Sequence, residues 1–275
     1  MSNTYSNLKT ASLDQVRLAI RSGQYRSHTA GLGQGYLQSN LAIMPQEYAL
    51  DFMRFCQRNP KPCPVTGVSD TGNPMMFTMG RDIDIRTDVP AYNVYRNGRL
   101  DHDCTDISDI WTDDLVVFAL GCSFTFEHAL IRAGFSMWHI DHDLTVPMFR
   151  SNIDTVPAGP FRGQMVVSMR AIPTERVPEA IEISGQFPLA HGAPVHWGDP
   201  ADIGITAIDR PDWGDAVPIP QGHTPVFWAC GVTPQVAIEA AQLPLCITHK
   251  PGHMLITDIP ENAQSPILCR GDNQS

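Results

Sequence analysis

LVVFALGCSFTFE at residues 115–127 and PVFWACGVTPQ at residues 225–235 decide the fold. Each is an apolar run, then a tight turn carrying glycine and cysteine, then a stretch with helical spacing. Leu115–Leu120 and Pro225–Cys230 read as buried strands. After the first comes Gly121-Cys122-Ser123-Phe124-Thr125 and a helix through Glu127, Leu130 and Ile131. After the second comes Cys230-Gly231-Val232-Thr233-Pro234 and a helix through Val236, Ile238 and Glu239. Both helices open on a hydroxyl residue, and Thr233 followed by Pro234 is a favourable start.

Further elements follow on either side. Ser12-Leu13-Asp14-Gln15 has the form of a capping box, and its helix runs toward Gly23 as a C′ residue. Pro45 starts a second helix with Tyr48, Phe52, Phe55 and Cys56 on one face, ending before Pro60. Asp82-Ile83-Asp84-Ile85-Arg86 alternates polar and apolar residues, the pattern of a half-exposed strand. Met165–Met169 reads as a strand, Glu175–Ile183 as a helix, and 191–220, rich in Gly, Pro and Asp, as loop. Leu245–His249 and Met254–Asp258 read as short strands, and the polar tail after Pro260 as frayed. Beyond the repeated turn pattern no tandem array is visible. Helices interleaved with apolar strands make this an α/β chain. The expected architecture is a mixed sheet with helices in a larger discontinuous lobe, residues 1–136 and 221–275. A smaller α+β lobe spans residues 137–220.

Bulk properties exclude several classes. Of the 275 residues, 43% are apolar and 17% charged, as in a folded protein. A net charge of −10 argues against nucleic acid as a partner. No apolar run is long enough to span a membrane, and residues Asn3 to Arg17 contain no signal core, so the chain reads as cytoplasmic. The seven cysteines, at 56, 63, 104, 122, 230, 246 and 269, form no C-x-x-C and read as reduced thiols. A homo-oligomer is compatible with the sequence.

Chemistry concentrates on the two turns. A strand–turn–helix start presents free N–H groups and the positive end of the helix dipole to an anion. Gly121, Ser123, Thr125, Cys230, Gly231 and Thr233 are therefore expected to bind carboxylate. A thiol at a helix N-terminus is a candidate nucleophile, Cys122 before Cys230. Glu127, in the first helical turn, and His249 and His253, in HKPGH, are the acid–base candidates. Asp84 and Arg86 would add a polar wall. HIDHD (139–143) and HGAPVHWGD (191–199) contain metal-type side chains, but no closed ligand set and no G-x-G-x-x-G after a strand, so neither metal nor cofactor is expected.

Longer strings point to a family. GYLQSNL (35–41), DFMRFCQRNPKPCP (51–64), DIDIRTDVP (82–90), LGCSFTFE (120–127), VPMFR (146–150), HGAPVHWGDP (191–200), PDWGD (211–215), FWACGVTPQ (227–235) and ITHKPGHMLITD (247–258) occur in this order. Together they resemble the D-glutamate cyclase family, whose bacterial members are called hydro-lyases. The resemblance implies a lyase that removes water from a small amino acid or dicarboxylate, as a mitochondrial member does in closing D-glutamate to 5-oxo-D-proline. It supplies no catalytic residues. Two alternatives stand beside it: a cysteine-dependent hydrolase or acyl transferase using Cys122, and a non-catalytic binder of amino acids or carboxylates.

Overall fold

The computed structural model describes residues 4–263. In chain order its elements are α1 (Thr4–Leu8), α2 (Leu13–Arg21), β1 (Tyr36–Pro45), α3 (Gln46–Arg58), β2 (Val65–Val68), β3 (Tyr92–Arg96), β4 (Arg99–Cys104), β5 (Leu115–Gly121) and α4 (Phe124–Arg132). There follow α5 (Trp138–Asp141), β6 (Met148–Asp154), β7 (Gln164–Pro173), α6 (Val177–Gly185), β8 (His196–Trp197), β9 (His223–Ala229), α7 (Thr233–Ala241), β10 (Cys246–His249) and β11 (Leu255–Pro260). The α/β layering read from the sequence is present, and every strand pair among the described residues is antiparallel. One sheet runs β2-β5-β1-β10-β3-β4 with β11 also paired to β1; the other runs β6-β7-β9-β8. The strand His223–Ala229 thus belongs to the sheet built from the middle of the chain. Cys269 and most of the polar tail after Pro260 lie outside the described residues.

Local signals set most boundaries. Ser12 and Gln15 form both bonds of the capping box, and Gly23 takes φ +71° after the helix, as a C′ glycine does. Pro45 precedes the first helical residue of α3, whose Phe52, Phe55 and Cys56 are buried. Asp82–Arg86 departs from the expected strand. Asp84 makes a single bridge to Met75, and local bonds claim the backbone around it. The Asp84 carboxylate accepts from the Arg86 amide at 2.9 Å, and the Asp88 carboxylate accepts from the Asp84 amide at 3.0 Å. Such short-range side-chain bonds favour turns over ladders. Ile83 and Ile85 are nevertheless fully buried, which produces the alternation.

The fold repeats itself. β1 and β7 are each ten residues long and each ends on proline, Pro45 and Pro173. Each leads to a helix (α3, α6), a short strand (β2, β8), a seven-residue strand (β5, β9) and a last helix (α4, α7). Pairing repeats too: β5 lies between β1 and β2, and β9 between β7 and β8. The last helices are exchanged between the units. Phe124, Phe126 and Leu130 of α4 share an apolar cluster with Val166, Val226, Trp228 and the α6 residue Ala180. Ala237 and Ile238 of α7 share theirs with Ala42, Phe118 and the α3 residues Phe52 and Phe55.

Exchange brings the two turns together. Asn40 on β1 donates to Gly121 O at 2.8 Å, and its amide lies against Gly231, where a Cβ would come within 2.0 Å of Nδ2. A Cβ on Gly121 would lie 1.5 Å from the Leu189 carbonyl oxygen. Gly121→Ala meets backbone that cannot swing aside and is expected to cost about 3 kcal/mol or more; Gly231→Ala meets a side chain and should cost about 1–3 kcal/mol. Urea denaturation of the two variants measures the difference, and equal losses would contradict the packing described.

Candidate active site

Both turns are fastened by the same set of bonds. Cys122 donates its amide to Gln38 O at 3.0 Å, and the Gln38 amide donates to Thr125 Oγ1 at 3.1 Å. Cys230 donates to Val166 O at 3.0 Å, and the Val166 amide donates to Thr233 Oγ1 at 3.0 Å. The threonine amides return to the cysteine carbonyls at 3.1 and 3.0 Å. These hydroxyls therefore clip the turn to the neighbouring strand. The expected hydroxyl caps do not form: neither Ser123 nor Thr233 makes a side-chain cap bond. In Cys-x-x-Thr the cysteine and threonine amides are consumed by the clip, which reduces what each turn can offer an anion.

The freed Ser123 hydroxyl serves another group. Arg170, from β7, donates Nη2 to Ser123 Oγ at 2.9 Å, Nη1 to Ser168 Oγ at 2.7 Å and Nε to Glu127 Oε1 at 2.9 Å. Phe126 and Trp228, adjoining each other, pack beside its guanidinium, with centroids 5.2 and 5.4 Å away. His139 of α5 brings Nε2 to 3.0 Å from the same Glu127 oxygen, close enough for charge to act but not aligned as a hydrogen bond. Glu127 is fully buried. Burial alone would raise its carboxyl, but Arg170, then His139, outweigh it and hold it down at about 2. Donors crowd Oε1, while Oε2 is buried without a hydrogen-bond partner among the described residues. A cavity of about 230 Å³ opens between residues 134–139, β7 and the loop 217–223, and its wall includes both His139 and Arg170.

The remaining expected residues divide into two groups. Gly121, Cys122, Ser123, Thr125, Glu127, Cys230, Gly231 and Thr233 gather where the turns meet. His249 is near: its Nδ1 accepts from the Leu41 amide at 3.0 Å, beside Asn40, and Gln235 of α7 donates to its carbonyl at 3.1 Å. His253 bonds to Pro251 O at 3.0 Å, and no hydrogen-bond partner of it belongs to either turn. Asp84 and Arg86 pair with each other at 2.7 Å, next to the Arg21–Asp88 bridge that ties α2 to this loop. Burial pushes the Cys122 thiol well above its ordinary value and Cys230 to about 11, although the Phe124 and Val232 amides act the other way. Both thiols are thereby kept protonated.

HIDHD does not assemble a metal site. His139 faces Glu127, Asp141 accepts from Ser136 at 2.7 Å, His142 stacks on Trp138, and Asp143 pairs with Lys9. Among the described residues no group of three or more His, Cys, Asp or Glu is placed to hold a metal ion. Arg170, Asn40 and Ser168 were not singled out from the sequence. The available signal was polarity inside an apolar strand: Gln38-Ser39-Asn40 in β1, and Ser168 and Arg170 in β7, all buried.

The ion pair and the buried imidazoles make separable predictions. Glu127→Ala leaves Arg170 buried and unpaired and is expected to cost about 3–5 kcal/mol, while Glu127→Met with Arg170→Met should recover most of that loss. A double variant no more stable than the worse single one would refute this. Burial, ahead of every other cause, pushes His191 and His249 from near 6.5 to about 4. In that window the folded chain binds fewer protons than the unfolded one, so stability falls as pH drops from about 6.5 to 4. Glu127 adds a further loss between its ordinary value, near 4.5, and about 2. Urea midpoints that stay level from pH 7 to 4 would contradict both assignments.

Comparison with known proteins places the chain. Residues 116–258, from β5 to β11 and including both turns, match the D-glutamate cyclase family. A protein of Dinoroseobacter shibae, provisionally named hydro-lyase, is 75% identical over 98% of this chain and 90% of its own length. One of Ruegeria pomeroyi with the same provisional name is 74% identical over 98% of both chains. A third, from a Jannaschia species and named likewise, is 60% identical over 94% of this chain and 97% of its own. Identity at this level extends over both repeated units and the centre between them, and the chain belongs to the D-glutamate cyclase family.

Proposed function

We propose that the protein is a hydro-lyase acting on a small amino acid or dicarboxylate, with closure of D-glutamate to 5-oxo-D-proline and water as the first candidate reaction. The names of its relatives support the reaction class. The observation that carries the substrate class is Glu127: a buried, ionised carboxylate with one oxygen saturated by Arg170 and the other without a donor. Leaving a charged oxygen unsatisfied in a dry site is costly, and an ammonium group satisfies it.

Lactam closure moves two protons. The amine attacks the distal carboxyl carbon, two hydrogens leave nitrogen, and one carboxyl oxygen departs with them as water. Glu127 Oε2 receives the ammonium. Arg170, fixed by Ser123 and Ser168 on the cavity wall, presents positive charge to the carboxylate and to the oxyanion that forms from it. Holding the chain of the substrate folded supplies much of the rate, because the reaction is intramolecular. Of the acid–base candidates read from the sequence, Glu127 has the most support, through its bonds to Arg170; His249 is bonded to the Leu41 amide, and His253 makes no hydrogen bond to either turn. The alternative in which Cys122 attacks an acyl group lacks comparable support, since burial opposes its thiolate.

Purified protein incubated with D-glutamate, L-glutamate and related dicarboxylates is expected to show loss of one water by mass spectrometry, undiminished after exhaustive chelation. Glu127→Gln should lower turnover by about 10²–10⁴-fold in a folded protein. Saturable binding of all these compounds without water loss would replace the lyase with a carboxylate binder.

A further inference from the structure

The two repeated units meet at one more pair of equivalent places, the connections that leave α3 and α6. His191, in the second connection, has Nδ1 2.8 Å from the Lys61 carbonyl oxygen in the first. A carbonyl can only accept, so the proton sits on Nδ1 and the lone pair on Nε2. That Nε2 is buried and has no hydrogen-bond partner among the described residues. His191 also has φ 75° and ψ −11°, the left-handed region that non-glycine residues avoid. Backbone strain of this kind persists where the surroundings over-determine it, and it clusters at functional sites.

The residues that lead into His191 pack on the first turn. The short helical turn Pro188–Ala190 delivers it, and Leu189 O rests on Gly121. Phe187 and Ala190 share one apolar cluster with Cys122 and Cys230. Burial first, with the charge of Arg170 adding to it, keeps the imidazole neutral, its value pushed down to about 4.

The geometry points to His191 as the proton acceptor of the reaction: its Nε2 takes a proton from the substrate ammonium, which frees the amine to attack, gives that proton to the oxyanion, then takes the second N–H proton and gives it to the resulting hydroxyl, which leaves as water. This rests on the hydro-lyase reading. Both protons lost by nitrogen are gained by the departing oxygen, so no co-reactant is needed, and Lys61 O holds the imidazole in one tautomer throughout.

Asparagine and glutamine separate the two ring nitrogens. His191→Asn keeps an N–H where Nδ1 was and removes Nε2; His191→Gln does the reverse. His191→Asn is expected to fold with near-native melting and to lose at least ~100-fold in D-glutamate turnover. Turnover within threefold of wild type would overturn the assignment. A second arm does not depend on catalysis: histidine-labelled wild-type protein is titrated with D-glutamate, and nitrogen NMR follows the His191 Nε2 signal, identified by its loss in His191→Asn or, if that variant does not fold, in His191→Gln. A shift on ligand addition supports the placement even if no water is lost, in which case the lyase reading alone fails. A signal unmoved at saturating D-glutamate overturns it.

Discussion

A guanidinium and a carboxylate sealed from water between two units of the same chain set the terms for everything around them. Neither charge survives burial alone, since each would cost several kcal/mol. Arg170 stands on a central strand of one sheet, and Glu127 reaches it from a helix whose own strand lies in the other. Ser123, Ser168, Phe126 and Trp228 are consequences: two hydroxyls complete the hydrogen bonding and two adjoining rings pack against one side of the guanidinium. The pair holds the units in one relative position because its geometry fails if they slide.

Repetition explains where the site lies and why it is one-sided. Positions that match by pairing register carry different residues: Ala42 stands on β1 where Arg170 stands on β7, and Gln235 on α7 where Glu127 stands on α4. The scaffold has two equivalent corners, and one of them is charged. At the neutral corner Gln235 ties α7 to the His249 carbonyl, a purely structural bond of 3.1 Å. A pseudo-symmetric frame with asymmetric polar groups gives a bound molecule two distinguishable ends.

β5, β7, β9, β10 and β11, the two turns and most helices were legible because each has a short-range cause: a capping box, a proline, an apolar run; β1 to β4, β6 and β8 were not read as strands. The duplication was legible only at Cys-x-x-Thr and at the prolines closing β1 and β7. Those residues make bonds or stops that a substitute cannot make, whereas the apolar positions tolerate one another's side chains and drift. Arg170 was missed because an arginine after MVVSM reads as a strand leaving the core. Its partner is 43 residues away in sequence, across a gap that no periodicity spans. Asp82–Arg86 misled for the converse reason: Ile83 and Ile85 are buried by a loop that turns on its own aspartates, so alternation there records burial without a ladder.

The exchanged helices have a consequence for how the chain is made. During synthesis α4 emerges with Phe124, Phe126 and Leu130 exposed, and the last part of the surface that covers them, Val226 and Trp228, is added about a hundred residues later. At ribosomal rates of about 5–20 residues per second that delay is several seconds or more. The nascent first unit therefore carries an incompletely covered apolar helix until the second unit's central strand has been made. The packing of α4 is complete only once β9 has been made.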